Sequence, residues 1–142
     1  MTESSNIIFN SSPKPTIGVE VELQTLDYQT LLPISGAPLL LKKYGKTTWL
    51  KKELLNSIIE VNTDICNDVS EVRDDLGKKI TDVIKTSNSL NMEILSMGIH
   101  PLMNWKDASI TNDKRYRSFL ERMQWVIKNF IITGLHVHVG VD

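Results

Sequence analysis

Two pairs of residues at two-residue spacing carry most of the chemistry this sequence could perform. Glu20 and Glu22 lie in Gly18-Val19-Glu20-Val21-Glu22-Leu23, and His136 and His138 lie between Gly134 and Gly140. Successive side chains of an extended chain point to opposite faces, so each pair projects to one side with Cβ atoms ~6.5–7 Å apart. Paired carboxylates can grip divalent cations. Imidazoles ligate transition metals and, beside carboxylates, Mg2+ or Mn2+. The plainer reading of Glu20 and Glu22 is the solvated side of a two-faced strand, and a strand histidine is often structural. Gly134 and Gly140 leave room for a ligand or another backbone to approach the histidines.

Two further glutamates stand in an apolar setting. Glu60 interrupts Ile58-Ile59-Glu60-Val61, where a carboxylate is expensive to bury unless paired or metal-bound. Glu53 lies seven residues earlier, an odd separation that puts the two on opposite faces of any one regular strand. They can share a site only if the chain bends or changes element between them. The lysines at 42, 43, 46, 51 and 52 read first as solvated surface and second as partners for phosphate. Asn112–Arg117 reads as a solvated helix start. Cys66 has no partner in sequence and reads as a small buried hydrophobe. There is no Walker-type glycine loop and no GxGxxG.

These residues need strands to hold them. Ile17, Val19, Val21 and Leu23 alternate with polar neighbours through Thr16–Asp27, the period of a half-buried strand. A second strand is expected around 57–63, a short one over Leu39–Lys43, and a last one over Ile131–Val141, where Leu135, Val137 and Val139 anchor the face opposite the histidines. From Asp68 apolar residues recur every three or four positions, from Val69 through Leu90 to Ile94, which predicts a long helix with Glu71 closing its capping box. A second helix is expected over Asn112–Asn129. Strands without regularly alternating helices give an α+β class: a largely antiparallel sheet with helices packed on one face.

Composition narrows the function classes. The 142 residues carry 16 basic and 17 acidic side chains, a formal charge of −1, which offers no global attraction to nucleic acid or membrane. No apolar run approaches the ~20 residues of a membrane span. Residues 1–15 are polar and without period, a flexible lead-in with no secretory character. With a single cysteine, these features point to a cytoplasmic protein. One domain occupies 16–142. The sequence stops at Val141-Asp142, on a strand, so a piece of something longer is expected, with an exposed strand edge that leaves Val137 and Val139 short of cover and invites association into a homo-oligomer.

Taken in order, GVEVELQTLD, ELLNSIIEVNTDIC, HPLMNW, RY and GLHVHVGVD resemble the N-terminal part of the carboxylate–amine ligase branch of the glutamate–cysteine ligase family, and more distantly glutamine synthetase. The resemblance implies a glutamine synthetase-like sheet, incomplete in this chain. It implies ATP, Mg2+ or Mn2+, and amide formation between an amino-acid carboxylate and an amine through an acyl phosphate. It also implies that Glu20 and His136 share one metal, that Glu22, Glu53 and Glu60 gather at another, and that His138 contacts the nucleotide or the transferring phosphate. The chain alone is expected to be inactive. Two other readings stand beside this one: a Zn-dependent hydrolase using the His-x-His pair, and a non-catalytic binding domain.

Overall fold

The alternation in Thr16–Asp27 becomes β1, the 12-residue strand on which the rest of the sheet is assembled. The computed structural model describes residues 11–142, so residues 1–10 of the polar lead-in lie outside the described residues. After β1 come α1 (Ala37–Tyr44), β2 (Leu50–Lys52), β3 (Ile58–Asn62), α2 (Val69–Asn88) and β4 (Met92–Leu95). A 3-10 turn (Trp105–Asp107), α3 (Lys114–Met123), α4 (Trp125–Lys128) and β5 (Leu135–Gly140) complete the chain. One edge of β1 pairs with β3 over Glu20–Gln24. The other edge is shared, with β5 along Thr16–Val21 and β4 along Gln24–Asp27. Strand β2 extends the sheet beyond β3, and every pairing is antiparallel. The α+β class with an antiparallel sheet is what the structure shows.

The odd-numbered side chains of β1 make the core. Val21 and Leu23 pack with Leu50, Ile59 and Val61 of the neighbouring strands, beneath Ala37 and Leu40 of α1 and Val83 of α2. Val19, Cys66 and Val72 form a smaller cluster, with Cys66 in the buried role expected of it. Tyr44 ties α1 to α2, its hydroxyl donating to Asp82 at 2.8 Å and accepting from the Thr86 hydroxyl at 2.9 Å. Helices α1 and α2 thus cover one face. No helix among the described residues is long and apolar enough to cross a membrane.

Three elements differ from expectation. Leu39–Lys43 is helical, not a strand. Pro38 sits in the first turn of α1, where no backbone donor is needed, and Leu40 turns inward at 0% exposure. The long helix ends at Asn88 rather than running to Ile94. Asn91 adopts φ 55°, a left-handed conformation that asparagine tolerates, and the chain reverses into β4. Leu90 and Ile94 keep helical spacing because a turn and a strand bring both onto the same core. The second helix breaks at Gln124 (φ 49°) into α3 and α4. At the start of α2 the Asp68 side chain caps as expected, accepting from Glu71 N, while the Glu71 side chain closes back one residue earlier, accepting from Asn67 N.

Gly36, ahead of α1, is required by space. A Cβ there would lie 2.7 Å from Met92 Sδ and 2.8 Å from the Thr25 Cβ. Gly36→Ala is therefore expected to destabilise by ~1–3 kcal/mol, as overpacking in a tight core does. Urea denaturation measures this, and an unchanged midpoint contradicts it.

Candidate functional site

The even-numbered positions of β1 face away from α1 and α2, and cross-strand register decides what joins them. Glu22 pairs with Glu60, and Glu20 with Asn62. Across the other edge Glu20 pairs with His136 and Gly18 with His138. Lys51 of β2 pairs with Glu60. One sheet face therefore carries Lys51, Glu60, Asn62, Glu20, Glu22, His136 and His138, because directly opposed residues share a side.

Glu53 reaches this face from the turn between β2 and β3, so the change of element resolves its odd spacing from Glu60. The turn is clamped from outside: Thr111 Oγ1 donates to the Glu53 carbonyl at 2.5 Å, and Thr111 N donates to the Leu54 carbonyl. Glu22, Glu53 and Glu60 then each offer a carboxylate oxygen, all within 4.8 Å of one another. Beside them Glu20 forms a second group. Its Oε2 lies 3.2 Å from His138 Nε2 and 3.5 Å from His136 Nδ1.

Each carboxylate is held by the chain's own donors. The Gly134 N–H donates to Glu22 Oε2 at 2.7 Å. A Cβ on Gly134 would come within 3.2 Å of His136 Nε2. The room the glycine leaves is used by the site's own side chains, and at Gly140 by Thr16 and Ser12. Glu60, only 7% exposed, accepts at Oε1 from Asn62 Nδ2 (2.8 Å) and Lys51 Nζ (3.2 Å). Lys51 also donates to Asn62 Oδ1 at 3.1 Å and stands 3.8 Å from Glu20.

The electrostatics divide the cluster. Burial pushes the Glu20 carboxyl up, but the hydrogen bond and charge of His138, with Lys51 and His136, outweigh it and hold the group below its ordinary value. Glu53 goes the other way. Burial raises it most, and the negative charges of Glu60 and Glu22 add to the rise against the opposing hydrogen bond from Leu54 N and the charge of Arg115. Packing carboxylates this closely favours a proton or a cation among them.

All six residues singled out in the sequence come to one face, and the other side of β5 has the incomplete cover expected at Val137 and Val139. Leu135, Val137 and Val139 are 63%, 54% and 62% exposed, so they anchor no core. They pair with the first half of β1, beyond the sheet area that α1 and α2 cover. Asn62, the Gly134 N–H and the place of Lys51 beside Glu60 and Glu20 escaped sequence reading because only register reveals them. So did Gln24, two positions past Glu22, fully buried with both amide atoms unpaired. His100 of the HP…W stretch is structural: Nδ1 accepts from Leu102 N, so Nε2 carries the proton given to the Leu31 carbonyl.

Residues 16–142 match Glutamate-cysteine ligase family 2 (GCS2). The chain belongs to this family. It is 36% identical over 139 residues to "Putative glutamate--cysteine ligase 2-1" of Mycobacterium sp. (strain KMS), covering 98% of this chain and 37% of that protein. It is 35% identical over 141 residues to "Putative glutamate--cysteine ligase 2" of Thermobifida fusca (strain YX), covering 95% and 35%. The chain thus spans little more than a third of the length of these family members.

Because Glu53 keeps its proton to higher pH folded than unfolded, its contribution is present at low pH. It is lost as pH rises above the ordinary value of 4.5. Glu53→Gln cannot ionise, so it is expected to gain stability relative to wild type between about pH 4.5 and about pH 7. Melting temperatures at both pH values measure this, and an equal effect at both contradicts it.

Proposed function

We propose that this chain supplies the cation-holding part of an ATP-dependent carboxylate–amine ligase that joins a glutamate-type carboxylate to an amine such as that of cysteine. The observation that carries the reading is the convergence of Glu22, Glu53 and Glu60 beside Glu20, His136 and His138 in a chain of this family. Glycine-flanked strands and a clamped turn fix all six in place before any ligand arrives.

The donor set fits Mg2+ or Mn2+. Carboxylate oxygens are the hard ligands these ions take, and three within 4.8 Å can face one ion. In this reading Glu22, Glu53 and Glu60 hold one cation, Glu20 and His136 another, and His138 meets the nucleotide or the transferring phosphate. The cations supply the positive charge that brings ATP and a carboxylate together. The γ-phosphoryl group passes to a substrate carboxylate oxygen and ADP leaves. The amine nitrogen then attacks the acyl carbon, loses its proton, and phosphate departs as the C–N bond forms. Positioning and electrostatics supply most of the catalysis in such transfers, which suits residues fixed by register. The partners are small molecules, with no nucleic acid and no membrane.

Titration calorimetry with Mg2+, Mn2+ and Zn2+ tests this. Mn2+ or Mg2+ is expected to bind, with Glu22→Gln and Glu60→Gln each weakening it about tenfold or more while circular dichroism stays unchanged. Undiminished affinity in both variants would falsify the assignment. Zn2+ binding that depends on the histidines alone would favour a hydrolase instead.

A further inference from the structure

Strand β5 is paired along one edge. Ile17 exchanges both main-chain hydrogen bonds with Cys66, so the backbone groups of odd-numbered β1 residues point away from β5. Those of Thr16, Gly18 and Glu20 point toward it, opposite Gly140, His138 and His136. The N–H and C=O groups of Leu135, Val137, Val139 and Val141 are left on the outer edge, where no strand pairs among the described residues. The side chains of the same four residues are each more than half exposed, on the face opposite the histidines. An apolar strand with an open edge is a template for another strand.

One hydrogen bond to that edge is already made. Ser12 N donates to the Val141 carbonyl at 2.9 Å, and a bend at Pro13 and Lys14 carries the chain around the end of β5 into β1. The junction is tight. Ser12 Oγ donates to the Lys14 carbonyl at 2.7 Å, and a Cβ on Gly140 would run into Thr16 Oγ1 and lie 3.2 Å from the Ser12 Cβ. Residues 1–10 therefore join the fold at the outer edge of β5, and they contain one apolar run, in Asn6-Ile7-Ile8-Phe9-Asn10. A strand that lies along β5 and leads into Ser12 is parallel to β5. Parallel pairing continued back from the Ser12–Val141 bond opposes Asn10 to Gly140, Phe9 to Val139, Ile8 to His138 and Ile7 to Val137. The alternation then matches on both faces except at Ile8.

We propose that the outer edge and apolar face of β5 are the docking site of the chain's own residues 6–10, which add a parallel strand to the sheet. Ile7 and Phe9 cover Val137 and Val139. Asn6 and Ile8 stand beside His136 and His138 and wall the imidazole pair on its open side. Five residues at a rise of ~3.3 Å reach about 16 Å, enough to run from Val141 back past Val137. An edge filled in this way no longer offers itself to a second copy.

Amide hydrogen exchange, read by NMR on the full 142-residue chain, tests this. Docking gives the outward N–H groups of Val137 and Val139 acceptors in the carbonyls of Asn6 and Ile8, whereas β1 holds the His136 and His138 amides in any case. Protection is therefore expected at Val137 and Val139 as well as at the histidines. Deleting residues 1–10, or making Phe9→Asp, is expected to lower it at the two valines by about tenfold or more relative to His138. Thr2→Asp makes the same charge change outside the paired residues and is expected to leave it within about twofold. Unprotected valine amides in the full chain overturn the proposal. So does valine protection that survives the deletion, or that rises with protein concentration and so belongs to a second copy on the edge.

Discussion

Everything at the carboxylate face depends on the register of β1. Val21 and Leu23 are buried against α1 and α2, and their burial aims Glu20 and Glu22 at the opposite side. A one-residue slip would exchange the two sets, putting two carboxylates into an apolar core at a cost of several kcal/mol each. The hydrophobic face thus sets the position of the polar one. Because β1 pairs along both edges, the same constraint carries across to Glu60, Asn62, His136 and His138. Hydrophobic packing on one side supplies the stability that holds a self-repelling arrangement on the other.

That arrangement is strained electrostatically in this chain. Glu53 is pushed up by burial and by Glu60 and Glu22, whereas Glu20 is held down by His138, Lys51 and His136. Lys51 and Asn62 together offset the buried charge of Glu60, and a backbone N–H does so for Glu22. Such donors keep the carboxylates pointed at one another without removing the repulsion among them. Gln24 adds an unpaired buried amide on the same face, a further sign that this side is not built for stability alone.

Much of this was legible in the sequence, and what was not has physical reasons. The two-residue period of Thr16–Asp27 and of the histidine strand reported both the elements and the shared face of each pair. The meeting of Glu53 with Glu60 was not legible, since odd spacing argues against it and only a turn clamped by Thr111, 58 residues further on, makes it happen. Short elements misled most. Leu39–Lys43 is apolar enough for either a strand or a helix, and Pro38 with the inward Leu40 decides for the helix. Leu90 and Ile94 keep helical spacing although one lies in a turn and the other in β4. The places of Lys51 and Asn62 beside the carboxylates depend on which segments lie adjacent in space, which local periodicity does not encode.

The central claim, that Glu22, Glu53 and Glu60 form one cation site, is tested most directly by diffraction from crystals grown with Mn2+, using its anomalous signal to locate the ion. The account predicts a peak within about 2.0–2.3 Å of an oxygen from each of the three, with the Lys51 ammonium displaced from Glu60. A peak elsewhere, or none at saturating Mn2+ with the three carboxylates still converged, would contradict it.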